Sequence, residues 1–226
     1  MTVLAIAHRG DPIAERENTL AAFSAAVAAG ADVIELDVRC TADGAAVVVH
    51  DPTLERLWGV ARPVADLSAG DVRELGIPDL AEAIAAIPEH VQVMVDYEEW
   101  AVAEPALDAV LASDALERCI FSGGCHDGHR AIRERAAAAR IALTWTDDVP
   151  CPDALLDELG PEYWNPSGNV LGRHPDQIER MHARGTLVSV WTIDRRDDMR
   201  FFLDFGVDAV ITNRVAELVA LLERVC

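Results

Sequence analysis

Carboxylates and imidazoles stand in this chain where buried strands ordinarily carry neither. Glu35 and Asp37 interrupt the apolar run 33–38, and His50 closes the run 46–50 with Asp51 directly behind it. His8 closes the first apolar run and is followed by Arg9 and Gly10. Residues two apart on a strand share a face, so Glu35 and Asp37 point one way. Unpaired carboxylates at the end of a buried strand are strongly disfavoured. A hard divalent cation relieves the repulsion, because Mg²⁺ and Ca²⁺ take carboxylate oxygens. Residues 91–98, VQVMVDYE, repeat the pattern with Asp96 and Glu98. Two imidazoles at strand ends are a natural acid and base near neutral pH. Arg9 offers a planar fork for phosphate, and Gly10 permits a close backbone approach or a positive φ.

These residues can act together only if the fold brings several strand ends to one place. Short Val/Ile/Leu runs alternate with Ala-rich stretches, the pattern of βα units around a parallel sheet. Predicted strands cover 3–7, 32–38, 46–50, 91–97, 118–122, 140–145, 162–165, 187–192 and 208–212. Predicted helices cover 19–29, 79–87, 102–112, 129–139, 152–159, 175–184, 196–205 and 214–224. Asn18-Thr19 and Gly30 bound the first helix; Asp194 and Gly206 bound the helix 196–205, and Asn213 caps the last. Nine strands compete for the eight places of a TIM barrel, the surplus being 140–145 or 162–165. The link from 38 to 46 is too short for a helix. Asp43-Gly44 would turn a hairpin there. The favoured route is an extended descent into a parallel strand, since seven or eight residues cover about 25 Å and His50 then shares a rim with Glu35 and Asp37. No linker or repeat appears, so the 226 residues read as a single-domain α/β barrel.

Net charge is −20, and all nineteen basic residues are Arg. Such a surface disfavours nucleic acid and anionic membranes as partners. A small anionic substrate remains compatible if Arg and a cation concentrate positive charge locally. Five cysteines (Cys40, Cys119, Cys125, Cys151 and Cys226) without a CxxC read as reduced thiols in a cytoplasmic protein. The opening MTVLAIAHRGD does not read as a signal peptide, and no apolar run approaches the roughly 20 residues of a membrane span.

The motifs recur in an order that resembles the glycerophosphodiester phosphodiesterase family, whose barrel is similar to that of phosphatidylinositol-specific phospholipase C. His8-Arg9-Gly10 resembles its opening HRG, and Glu17-Asn18-Thr19 its ENT, followed by Ala22-Phe23 and Gly30-Ala31-Asp32. Ile34-Glu35-Leu36-Asp37-Val38 resembles its metal strand. Thr41, Asp43-Gly44, Val49-His50-Asp51, Thr53-Leu54 and Arg56 follow in order. A short insertion over about 52–77 then precedes Ile77-Pro78-Asp79-Leu80, and the last two strands carry Val190-Trp191-Thr192-Ile193 and 206–212. Residues 100–185 resemble the family little.

The resemblance implies one divalent cation, Mg²⁺ or Ca²⁺ with Mn²⁺ a further fit, on Glu35, Asp37 and Asp96. It implies His8 and His50 as acid and base, in an order it does not give, and Arg9 on phosphate. Trp191 either flanks the substrate or packs in the core. An internal 2-hydroxyl would attack phosphorus, water would open the cyclic phosphate, and glycerol 3-phosphate and an alcohol would leave.

Two positions depart from the family pattern. Asp96-Tyr97-Glu98 stands for Glu-x-Lys, so Glu98 binds a second metal, turns outward, or selects a cationic or hydroxyl-rich substrate. Asn213-Arg214-Val215 stands for Asp-Arg-Pro. A lysophospholipid or sphingomyelin-like diester is an alternative substrate, and a phosphodiester-binding protein without turnover an alternative class. Cys125-His126-Asp127-Gly128-His129 resembles a zinc run, but its spacing fits no usual zinc pattern and it lacks a second half-site. It reads as a polar loop before a helix, and His90, His174 and His182 as surface residues.

Overall fold

The computed structural model describes residues 3–223. Eleven strands form: β1 (Leu4–His8), β2 (Val33–Cys40), β3 (Ala46–Val48), β4 (Thr53–Leu54), β5 (Val60–Pro63), β6 (Gln92–Asp96), β7 (Cys119–Gly123), β8 (Arg140–Trp145), β9 (Tyr163–Pro166), β10 (Leu187–Val190) and β11 (Ala209–Thr212). Eight of them pair in parallel in the order β1-β11-β10-β9-β8-β7-β6-β2, and β1 pairs with β2 to close the ring. This is the predicted TIM barrel.

The surplus strand is neither of the two predicted. Both 140–145 and 163–166 belong to the barrel, and the excluded strand is β3. The favoured extended descent is also overturned. Val38, Arg39 and Cys40 pair antiparallel with Val48, Val47 and Ala46, so residues 38–48 form a hairpin. Asp43-Gly44 lies in its turn, with Gly44 at φ +83°. β2 is longer than the barrel requires. Its final residues rise past the rim, so β3 needs only three residues to bring His50 back.

The predicted helices form to within a few residues, and Glu55–Trp58, Ala69–Glu74 and Gly168–Arg173 are helices that were not expected. Ser167 caps Gly168–Arg173 by accepting from the Val170 N–H. The short insertion is folded, with an apolar cluster of its own. The β4–β5 ribbon, the helix Glu55–Trp58 and the helix Ala69–Glu74 enclose Val47, Leu54, Val64, Leu67, Val72 and Ile77.

Alternation along the strands creates two layers inside the barrel. Ile6, Val33, Met94, Ile120, Ala142 and Tyr163 form an apolar floor. Two residues further along the same strands stand His8, Glu35, Asp96, Ser122, Thr144 and Asn165. The opposite strand faces, with Leu36, Val95, Phe121, Leu143 and Trp164, pack against the helices. The same period of two therefore supports the barrel and supplies its polar ceiling.

Gly10 shows both uses expected of it. Its φ is +79°, and a Cβ there would lie 2.7 Å from the backbone carbonyl carbon of Ala22. Gly10→Ala is expected to cost about 2 kcal/mol or more, from strain and backbone displacement. Urea denaturation of purified protein measures this; an unchanged midpoint refutes it.

Candidate active site

The polar ceiling opens into a cavity of about 260 Å³. His8, Arg9, Glu35, Asp37, His50, Asp96, Glu98 and Trp191, all marked from sequence, line it together. β1 and β2 set His8 opposite Glu35, and β2 and β6 set Asp37 opposite Asp96. This register brings the three acids to one side of the barrel mouth.

Each acid is held by donors from a different segment. Arg9 turns away from β1 with φ +60°, and its N–H donates to Glu35 Oε2 at 2.8 Å. The Arg9 guanidinium lies 3.1 Å from Asp37 Oδ2 and donates to Glu17 Oε1 at 2.9 Å. Asn18, buried at φ +57°, donates from Nδ2 to Asp37 Oδ2 at 2.7 Å and accepts from the Asp37 N–H at 3.2 Å. Ser122 donates to Asp96 Oδ2 at 2.9 Å. These donors do not cancel the mutual repulsion. Burial first, then Asp37, raises the Glu35 carboxyl well above its usual range. The same causes lift Asp96 to about 7.

The two imidazoles are backed differently. Asn213 donates from Nδ2 to Asp194 Oδ2 at 2.7 Å, so its Oδ1 is turned to His8 Nδ1 at 2.8 Å. An amide oxygen only accepts, which places the proton on Nδ1 and a lone pair on Nε2. Burial and the neighbouring Arg9 charge lower the His8 pKa. His50 instead donates from Nδ1 to a carboxylate, Asp51 Oδ1, at 2.7 Å. Asp194 and Asn213 were expected as helix caps. In the structure they cap nothing; the caps are Arg195 and Arg214, without side-chain bonds. Their role is to hold His8.

Glu98 does not share the inward face of Asp96, because β6 ends at Asp96. Its side chain is 69% exposed at the lip of the cavity, 3.5 Å from Arg39. Arg39 sits closer to Glu99, at 2.6 Å, and donates to the His50 carbonyl at 2.5 Å. Trp191 is half-buried at the mouth, fixed by its Nε1–H donating to the Asn165 carbonyl at 2.9 Å.

Sequence reading passed over Ser122, Thr144 and Asn165, which line the same cavity. They follow floor residues at spacing two, a signal that was available.

The zinc-like run is a helix start, not a loop. His126–Arg135 is helical, and among the described residues no cluster of His, Cys, Asp and Glu is arranged to hold a metal. His129 is a satisfied core histidine. It donates from Nε2 to the Gly123 carbonyl at 2.9 Å and accepts from the Tyr97 hydroxyl at 2.6 Å. Burial lowers its pKa to about 4. Cys40, Cys119, Cys125 and Cys151 are free thiols; Cys226 lies outside the described residues. No helix among the described residues is long and apolar enough to cross a membrane.

Fold and cavity together define a (β/α)₈ barrel with its reactive side chains at the C-terminal rim. Residues 8–217 match the model of the glycerophosphoryl diester phosphodiesterase family, and the chain belongs to that family. A glycerophosphodiester phosphodiesterase of Caldanaerobacter subterraneus is 31% identical, the match covering 99% of each chain. The crystal structure of a glycerophosphodiester phosphodiesterase from Thermotoga maritima superposes with a TM-score of 0.86 at 25% identity, covering 98% of this chain and 99% of that one. An Oleispira antarctica phosphodiesterase, solved with its product sn-glycerol-3-phosphate, has the same fold at a TM-score of 0.85 and 20% identity, covering 96% of each chain.

The raised Asp96 value has a consequence for stability. A carboxyl whose pKa is raised by folding favours the native state while protonated. That contribution is present below about pH 4 and lost as pH rises through about 7. In cation-free buffer the protein should therefore lose stability relative to Asp96→Asn across that interval. Parallel pH-dependent denaturation curves for the two proteins would disprove this.

Proposed function

We propose that this protein hydrolyses glycerophosphodiesters to glycerol 3-phosphate and an alcohol, with His8 as general base and His50 as general acid. The different backing of the two rings carries the reading. His8 has a neutral amide behind Nδ1 and a lowered pKa, so its Nε2 is suited to take a proton. His50 has a carboxylate behind Nδ1, the partner that an imidazolium formed during the reaction uses, with Nε2 left to deliver its proton.

The proposed reaction has two steps. His8 takes the proton of the substrate's 2-hydroxyl, whose oxygen attacks phosphorus while the bond to the alcohol breaks. His50 protonates the departing oxygen. In the second step His50 takes a proton from water, which opens the cyclic phosphate, and His8 returns its proton to the 2-oxygen. Arg9 places positive charge beside the phosphate throughout.

Glu35, Asp37 and Asp96 suit a hard divalent cation in donor type and in their unrelieved repulsion; their side chains are not gathered into a closed metal-holding group, so they would have to draw together around it. Each uses one oxygen toward a protein donor, leaving the other for coordination. When bound, such a cation would supply Lewis acidity to the phosphate.

Glu98 and Glu99 face a single Arg39. This leaves negative charge at the lip through which the alcohol departs, and a cationic or hydroxyl-rich alcohol suits it.

His8→Ala and His50→Ala are each expected to lower turnover about 10²-fold or more, and Glu35→Ala to remove the calorimetric signal of Mg²⁺ or Ca²⁺ binding. Hydrolysis should be followed on a panel of choline, ethanolamine, glycerol and inositol glycerophosphodiesters, with lysophosphatidylcholine and sphingomyelin included. Near-normal turnover in either His variant would reject the acid–base roles. Exclusive hydrolysis of the lipids would reject the substrate class, and ligand-induced thermal stabilisation without product would point to a binding protein.

A further inference from the structure

Arg56 lies outside the cavity, on the four-residue helix Glu55–Trp58 of the insertion, and it touches both sides of the site through two carboxylates. Its Nε donates to Asp51 Oδ2 at 2.5 Å, and its Nη2 to Asp51 Oδ1 at 3.1 Å. On the other side Nη2 and Nη1 donate to Glu17 Oε1 and Oε2, at 2.7 and 3.1 Å. Asp51 in turn accepts from His50 Nδ1 at 2.7 Å, and Glu17 accepts from Arg9 Nη1 at 2.9 Å. The series Arg9–Glu17–Arg56–Asp51–His50 is unbroken. It joins segments that the barrel's hydrogen bonds do not join, because His50 lies beyond β3 and Glu17 lies in the loop after β1.

We infer that Arg56 is a positioning residue that fixes the His50 ring relative to Arg9, and that the insertion exists in part to deliver it. A merely stabilising surface pair explains the geometry poorly. Arg56 is 46% exposed, where an ordinary ion pair contributes at most about 1 kcal/mol. Yet this guanidinium is bidentate on two carboxylates, and each of those carboxylates has its other partner in the site. Only a planar fork with donors on two edges can do this. Hydrogen bonding to Arg56 is also the largest cause holding the Asp51 carboxyl down at about 2. Asp51 therefore stays ionised and accepting at any working pH.

The two ends should respond unequally to loss of Arg56. Arg9 keeps Asp37 as a second partner, whereas Asp51 loses its only guanidinium and with it the anchor for the His50 ring. His8 is held independently by Asn213 and is unaffected. In the first step the defect should therefore fall on protonation of the departing alcohol; the opening of the cyclic phosphate, which also uses His50, is common to every substrate.

The test compares a choline glycerophosphodiester with the corresponding p-nitrophenyl diester, whose leaving group needs no proton. This rests on His50 being the acid, so His50→Ala is measured on the same pair. For Arg56→Gln, the single-turnover rate of alcohol release, which precedes the second use of His50 on the cyclic phosphate, is expected to fall about tenfold on the choline diester and less than twofold on the p-nitrophenyl diester. Arg56→Lys, which cannot fork, should remain impaired, and guanidinium ion at non-denaturing concentration should restore part of the activity of Arg56→Ala. A wild-type rate of alcohol release in Arg56→Gln, or equal loss of that rate on both substrates while His50→Ala discriminates them, overturns the proposal. If His50→Ala itself fails to discriminate, the acid assignment falls, and proton NMR decides the position of Arg56. The His50 Nδ1–H resonance should be sharp in the wild type and broadened by exchange in Arg56→Gln, and an unchanged resonance overturns the inference. Should Arg56→Gln not fold, Arg56→Lys is read in the same way.

Discussion

Three carboxylates facing one another at the mouth of a closed barrel are the constraint around which the rest is arranged. Glu35 is 4% exposed, Asp96 stands in the same ceiling with Asp37 two residues further along β2, and Arg9 is the one Arg among the described residues that line the cavity. The protein does not neutralise this cluster by itself. It restrains it, with a donor to each acid from Arg9, Asn18 or Ser122. Two of these donor-bearing residues, Arg9 and Asn18, adopt the left-handed backbone region that L-residues avoid. Strain of this kind persists where surrounding structure enforces it, and here the enforcement comes from the acids.

The imidazoles show how one side chain acquires two characters from what stands behind it. His8 is backed by an amide that is itself oriented by Asp194, so its tautomer is specified without a full charge in contact. His50 is backed by a carboxylate that is itself oriented by Arg56. In both cases the residue in contact with the ring is adjacent to a second residue that fixes it. Ring identity alone says little about how a histidine is held; the residue behind each ring, and the one behind that, differ between the two.

Much of this was legible from residue order, and the failures have physical causes. Strand ends bearing His8, Glu35, Asp37 and Asp96 were visible because charge inside an apolar run is rarely accidental. Ser122, Thr144 and Asn165 obey the same spacing but are neutral, and neutral polar residues at strand ends are too common to stand out. The route from β2 to β3 was misjudged because strand length was taken from the apolar run. The pairing of Arg39 and Cys40 with β3 extends β2 beyond that run. Asp194 and Asn213 were taken as caps because local sequence favours caps, whereas long-range contact with His8 decided the matter. Glu98 was placed on a strand face that ends two residues before it.

The overshoot of β2 separates two jobs that barrels usually combine. The eight-membered ring closes through β1 and β2 without help from β3, while the arm that bears His50 is tethered to the free end of β2 and to its own apolar cluster. Cavity walls and barrel integrity are thus mechanically decoupled on this side. A change in the arm's length would reshape what enters the mouth while the sheet beneath keeps its register.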